Sequence, residues 1–227
     1  MEWRIGSRQL PIVIILTTHG SLYPIVARGY PFRPRSGEIL EPVGGELHRG
    51  DPGMGSTQTV SVSGVNIATY IDGEQGRPWI VLSNSLASDY SSWDDQLSLL
   101  TQNFRVLRYD TRGHGRSAAP EGPYTFDHLT GDVLGLMDHY GIEKANFLGL
   151  SMGGMTGLGV AIEHPSRIAR LICCDARSDA PPPFVDNWTA RIASVESAGN
   201  LEPVAAFNKG RFSRRPLLLL IRTWLIR

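Results

Sequence analysis

The chain has 227 residues, 41% of them hydrophobic and 19% charged, a make-up that fits one globular domain with a sizeable core. Its 22 Lys and Arg balance 22 Asp and Glu. It therefore offers no basic field for nucleic acid, and a small uncharged substrate suits it better than a polyanion. Cys173 and Cys174 are adjacent within an apolar run; a strand would point them to opposite faces, so they are expected to be reduced core thiols. With no disulfide framework and no His or Cys at zinc-ligand spacing, the expectation is a cytoplasmic protein without a metal.

Residues 1–53 are rich in Pro, Gly and Arg, with turn formers at Pro31, Pro34, Gly44-Gly45 and Pro52-Gly53 and no sustained period. They are expected to form a poorly structured extension outside the core, with Met54 the natural start of the domain. Within them, residues 10–16 (LPIVIIL) follow Arg4 and Arg8. That run is shorter than a membrane span and lacks a small-x-small cleavage site, so no targeting role is assigned to it.

Residues 59–63 and 66–72 read as two strands joined at Gly64, and residues 79–83 (WIVLS) as a buried strand. Residues 104–109 and 145–150 read as two more. Between these, residues 126–140 set Leu129, Val133, Leu136, Met137 and Tyr140 at helical spacing, with Gly141 where a C′ residue belongs. Strand, helix, strand is a parallel-sheet unit. Residues 152–164 read as the next helix, stopped by Pro165, and residues 168–174 as the strand after it. Pro181-Pro182-Pro183 breaks the alternation; a cap is expected to start at about residue 181, with residues 188–197 as its first helix.

Residues 208–227 change character: four of the first eight are basic, and Leu, Ile and Trp fill much of the rest. Such a tail reads either as a membrane-surface helix or as out-of-frame translation. The second reading is preferred, because the tail neither continues the preceding pattern nor completes the sheet, and no membrane association is expected.

Gly149-Leu150-Ser151-Met152-Gly153 is a G-x-S-x-G signature lying where a buried strand turns straight into a helix, the setting of a nucleophile elbow. Ser151 is the candidate nucleophile. Gly149 and Gly153 are expected because side chains there would collide across the tight turn. The helix that starts at Met152 aims unpaired N–H groups at the same point, so the Met152 N–H is one candidate oxyanion donor. The second should come from the loop after residues 79–83, and Leu86 N–H is the candidate. Against these stand plainer readings, Ser151 as a helix cap and Leu86 as a buried loop residue.

Ser83-Asn84-Ser85-Leu86, Tyr109-Asp110-Thr111-Arg112-Gly113-His114-Gly115-Arg116-Ser117 and Gly149-Leu150-Ser151-Met152-Gly153-Gly154 together resemble the 3-oxoadipate enol-lactonases of the α/β-hydrolase superfamily. The resemblance implies an α/β-hydrolase fold, a mostly parallel sheet flanked by helices, with residues 54–207 an incomplete domain whose C-terminal strands are missing. It implies acyl transfer from a small-molecule lactone or ester through Ser151, without metal or organic cofactor. It also implies that the loop bearing His114 is structural, locked by charge-assisted hydrogen bonds of Asp110 and Arg112.

The triad order of this superfamily is Ser, then Asp or Glu, then His. No His follows His164, and His164 ends the helix that leads away from Ser151. His128 and His139 lie on or beside an earlier helix. Asp175 ends the strand after the elbow, where a turn carboxylate is the preferred reading over a catalytic acid. The chain therefore reads as an impaired member of its lineage, shortened or frame-disrupted after about residue 207. Its sheet would keep an open apolar edge unless the tail or a partner covers it. A general carboxylesterase or perhydrolase-like enzyme and a non-catalytic remnant are the competing readings. Oligomeric state is not legible.

Overall fold

Strands that are apolar on both faces belong in a parallel sheet covered on both sides. In the computed structural model, which describes residues 13–16, 22–23, 56–203 and 205, with backbone alone for 13–16, 22–23 and 56, such strands form the centre of one sheet. In chain order the strands are β1 (Val13–Leu16), β2 (Leu22–Tyr23), β3 (Ser56–Val62), β4 (Val65–Asp72), β5 (Trp79–Ser83), β6 (Arg105–Tyr109), β7 (Ala145–Leu150) and β8 (Ile168–Cys174). The helices are α1 (Asp94–Leu100), α2 (Phe126–His139), α3 (Met152–Glu163) and α4 (Pro182–Ala198). The sheet order is β2-β1-β8-β7-β5-β6-β4-β3, with β6, β5, β7, β8 and β1 mutually parallel and β4, β3 and β2 antiparallel to their neighbours.

The period of two sorts the core into two layers. Val81, Leu107, Phe147, Leu171 and Cys173 pack with Val133, Leu136, Met137 and Val160 of α2 and α3. Ile80, Leu82, Val106, Leu148, Ile172 and Cys174 pack on the other face with Trp93, Leu97 and Leu100. The two cysteines thus face opposite layers as free, buried thiols. Each fully buried aliphatic or aromatic side chain here contributes about 1.5–3 kcal/mol relative to exposure.

Most elements lie where the residue pattern puts them, and α2 ends as expected with Gly141 in the left-handed region at φ +65°. Three differ. The helix α1 is not foreseen by the residue pattern, because seven residues carry too little periodic signal. The helix α4 starts six residues before the expected 188, because Pro182 and Pro183 occupy its first turn, where a missing N–H costs nothing. Finally, residues 1–53 are not wholly outside the sheet: Val13–Leu16 pairs in parallel with residues 171–174 of β8, and β2 pairs with β1. The edge of β8 that was expected to stand open is taken by an apolar run able to satisfy its backbone groups. The expected start at Met54 and the tail 208–227 fall outside the described residues.

Candidate active site

Gly149 of β7 pairs with Ser83 of β5 on one side and Cys173 of β8 on the other. The loops after all three strands therefore leave the sheet together at its carboxyl edge, where open parallel sheets bind ligands. Ser151 sits at this edge between β7 and α3, with φ +51° and ψ −113°. Its N–H donates to the Cys174 carbonyl at 2.7 Å and its carbonyl accepts from the Met155 N–H at 3.0 Å. Sheet and helix thus hold a backbone conformation that costs a non-glycine residue about 1–3 kcal/mol.

Ser151 occupies the N-cap position of α3, yet its hydroxyl makes no capping bond. The helix-cap alternative therefore leaves both the side chain and the strain unexplained. Met152 is the first residue of α3, and an N–H at that position has no partner within its own helix.

The elbow glycines are required by contact. A Cβ on Gly149 would run into the Gly153 carbonyl, and one on Gly153 into the carbonyl of Ser83. The collision expected across the turn therefore holds for Gly149, whereas Gly153 is constrained by β5. At Gly154 an added Cβ would lie 2.6 Å from the Ala176 Cβ. The start of α3 is packed directly onto the strand ends beside it.

The loop after β5 is pinned by its polar side chains. Asn84, 1% exposed, donates through Nδ2 to the Tyr109 carbonyl at 3.2 Å and accepts at Oδ1 from Trp93 Nε1 at 2.6 Å. Ser83 Oγ lies 2.7 Å from the Tyr109 hydroxyl, whose ionisation burial pushes well above its ordinary range. Ser88 Oγ donates to the Ser85 carbonyl at 2.8 Å. Leu86 and Ala87 form the turn that follows. Leu86 is half-buried, not a sealed core residue, and the Ser83–Gly149 pairing brings its loop to the same sheet edge as Ser151. The contacts to Tyr109 were not visible in the sequence, where the partners stand 25 and 26 residues apart.

Asp110 and Arg112 both lock their loop, through separate partners. The Asp110 carboxylate accepts from the N–H groups of Tyr90 and Arg116, each at 2.9 Å, and from the Tyr70 hydroxyl at 3.2 Å. Arg112 makes a two-pronged pair with Asp132 of α2, both contacts 2.7 Å and both side chains buried.

None of the four described histidines is hydrogen-bonded to Ser151. His128 completes a capping box with Thr125 at the start of α2, and His139 packs edge-on against Tyr140. His164 caps the far end of α3, and a helix of 12 residues rises about 18 Å. His114 is bound to Ala87 and Arg112. Asp175 directly follows β8 with φ +48° and an exposed side chain, a conformation Asp tolerates better than most residues. Among the described residues no cluster of three or more His, Cys, Asp or Glu is placed to hold a metal ion, and no helix is long and apolar enough to cross a membrane.

Comparison with known proteins agrees with this geometry. Residues 78–215 match the alpha/beta hydrolase fold family. The chain is 40% identical over 149 residues to 3-oxoadipate enol-lactonase 2 of Acinetobacter baylyi, covering 66% of this chain and 54% of that protein. Among solved structures, an enol-lactonase from Burkholderia xenovorans superposes with a TM-score of 0.64 at 43% identity, covering 74% of this chain and 65% of that one. A hydrolase from Pseudomonas aeruginosa gives a TM-score of 0.65 at 41% identity, covering 73% and 62% respectively. The chain spans about half the length of the curated relatives it matches. With the strand order, the strained serine between β7 and α3 and the family match in agreement, the chain belongs to the α/β-hydrolase fold family.

Proposed function

We propose that this protein is a serine hydrolase of lactone or ester bonds, 3-oxoadipate enol-lactone being the substrate its lineage points to, and that the chain by itself turns over slowly. The observation that carries the reading is the backbone of Ser151, held at φ +51° at a strand-to-helix turn with its hydroxyl left out of helix capping. The similarity to enol-lactonases supports the substrate class. Reduced, buried thiols accord with a cytoplasmic location.

In the proposed reaction Ser151 Oγ attacks the lactone carbonyl, and the N–H groups of Met152 and Leu86 stabilise the oxyanion that forms. The ring oxygen leaves as an enolate and takes up a proton. Water then attacks the acyl-enzyme, restores the serine hydroxyl and releases the open keto acid. Both acyl-transfer steps need a base at Ser151. The sequence after the elbow offers His164 alone, at the distant end of α3, which is why slow turnover is proposed.

The test compares hydrolysis of the enol-lactone with that of p-nitrophenyl acetate, using Ser151→Ala as control. Preference for the lactone, abolished in the variant, is expected. Preference for the aryl ester would favour a general carboxylesterase, and turnover equal in both proteins would remove Ser151 from the reaction.

A further inference from the structure

We propose that His114 is a positioning residue for the loop that presents the Leu86 N–H, an inference that rests on the donor role proposed for Leu86. The His114 ring bridges two backbone groups. Its Nδ1 lies 3.1 Å from the Arg112 carbonyl and its Nε2 accepts from the Ala87 N–H at 3.1 Å. A carbonyl accepts and an amide donates, so both bonds together require the ring with its proton on Nδ1.

What this bridge holds is a residue under strain. Ala87 has φ +57°, a conformation a residue with a Cβ keeps only when its surroundings impose it. Ala87 directly follows Leu86, and the Ala87 amide belongs to the peptide plane on the carboxyl side of Leu86. The plane on the amino side contains the Ser85 carbonyl and the Leu86 N–H, and the Ser88 hydroxyl holds that carbonyl at 2.8 Å. Both peptide planes flanking Leu86 are thus fixed by side chains, one supplied locally and one from residue 114. With both planes fixed, the direction of the Leu86 N–H is set before any substrate arrives. Such preorganisation is what makes an oxyanion donor effective.

The far side of the bridge is anchored as firmly. The Arg112 carbonyl belongs to a residue whose guanidinium is clamped by Asp132 through two contacts of 2.7 Å. Gly115, at φ +52°, lies so close to the Asp110 carboxylate that a Cβ would overlap it. His114 therefore projects from a loop with little freedom to move, which suits it to hold the Leu86–Ala87 turn.

The test measures two quantities on the full chain, hydrogen exchange at the Ala87 amide by NMR and the rate at which a fluorophosphonate labels Ser151. His114→Ala is expected to speed exchange at Ala87 about tenfold, the scale of one lost hydrogen bond, and to slow labelling by a similar factor at a temperature where the protein remains folded. His114→Gln, which can return an acceptor near the Nε2 position, should recover most of both. Unchanged exchange in His114→Ala would overturn the bond, and faster exchange with unchanged labelling would overturn its bearing on the site. If unmodified Ser151 takes no label at all, the hydrolase reading fails separately, and exchange at Ala87 alone decides whether His114 sets the loop.

Discussion

Replacing Ser151 by glycine should stabilise the protein relative to replacing it by alanine. At φ +51° and ψ −113° a Cβ-bearing residue carries about 1–3 kcal/mol of backbone strain, which glycine removes and alanine retains. Against this, glycine gives up about 0.5–1 kcal/mol through the greater entropy of its unfolded chain. The Ser151 hydroxyl makes no capping bond, so its loss affects both variants alike. The difference left lies between about 0 and 2.5 kcal/mol in favour of Ser151→Gly, with a centre of about 1 kcal/mol or a few degrees in Tm, since about 1 kcal/mol moves a domain of this size by 2–4 °C. Urea unfolding followed by the fluorescence of the chain's five Trp residues measures it. If Ser151→Gly is no more stable than Ser151→Ala, the elbow is not strained and the conformational argument for Ser151 fails.

Gly153→Ala should destabilise by about 1–3 kcal/mol or more, because its Cβ meets the rigid Ser83 carbonyl; a fall in urea midpoint reads this. Asp132→Ala should cost about 3–5 kcal/mol by leaving the Arg112 guanidinium buried and unpaired, and a thermal melt within one or two degrees of the unmodified chain would contradict it. Burial pushes the Cys174 thiol up to about 12 and the Tyr70 hydroxyl, also facing Asp110, up to about 12. Both groups hold their protons more tightly folded than unfolded, so their contribution is complete below the ordinary values of about 8.5 and 10. It is then lost as pH rises through that range toward 12. Denaturation series at pH 8, 9.5 and 11 should show falling stability, and at pH 8 a thiol-reactive dye should label neither cysteine until the protein unfolds.

Much of this was legible because it is local. The unbroken apolar run of WIVLS, the 3.6-residue spacing from Leu129 to Met137 and the glycines around Ser151 each encode their own geometry within a few residues. What escaped is set at long range. Val13–Leu16 becomes a strand only because β8, far along the chain, presents a free edge. Asn84 belongs to a motif whose resemblance is legible, but its structural role appears only when Trp93 and the Tyr109 carbonyl close around it. The bond of His114 to Ala87 joins two loops that the sequence separates by a whole strand and helix. The start of α4 was misplaced for a different reason: a proline triplet reads as a break, although prolines in a first turn can begin a helix.

The central proposal is that Ser151 is a nucleophile to which none of the described histidines is bonded as a base, and chemical rescue tests it most directly. Fluorophosphonate labelling should be slow, confined to Ser151 in the modified peptide, absent in Ser151→Ala, and accelerated at least tenfold by imidazole, a free base able to take up the missing role. Rapid labelling that imidazole leaves unchanged would mean that a base is already in place. Equal labelling of Ser151→Ala would mean that Ser151 is not the nucleophile.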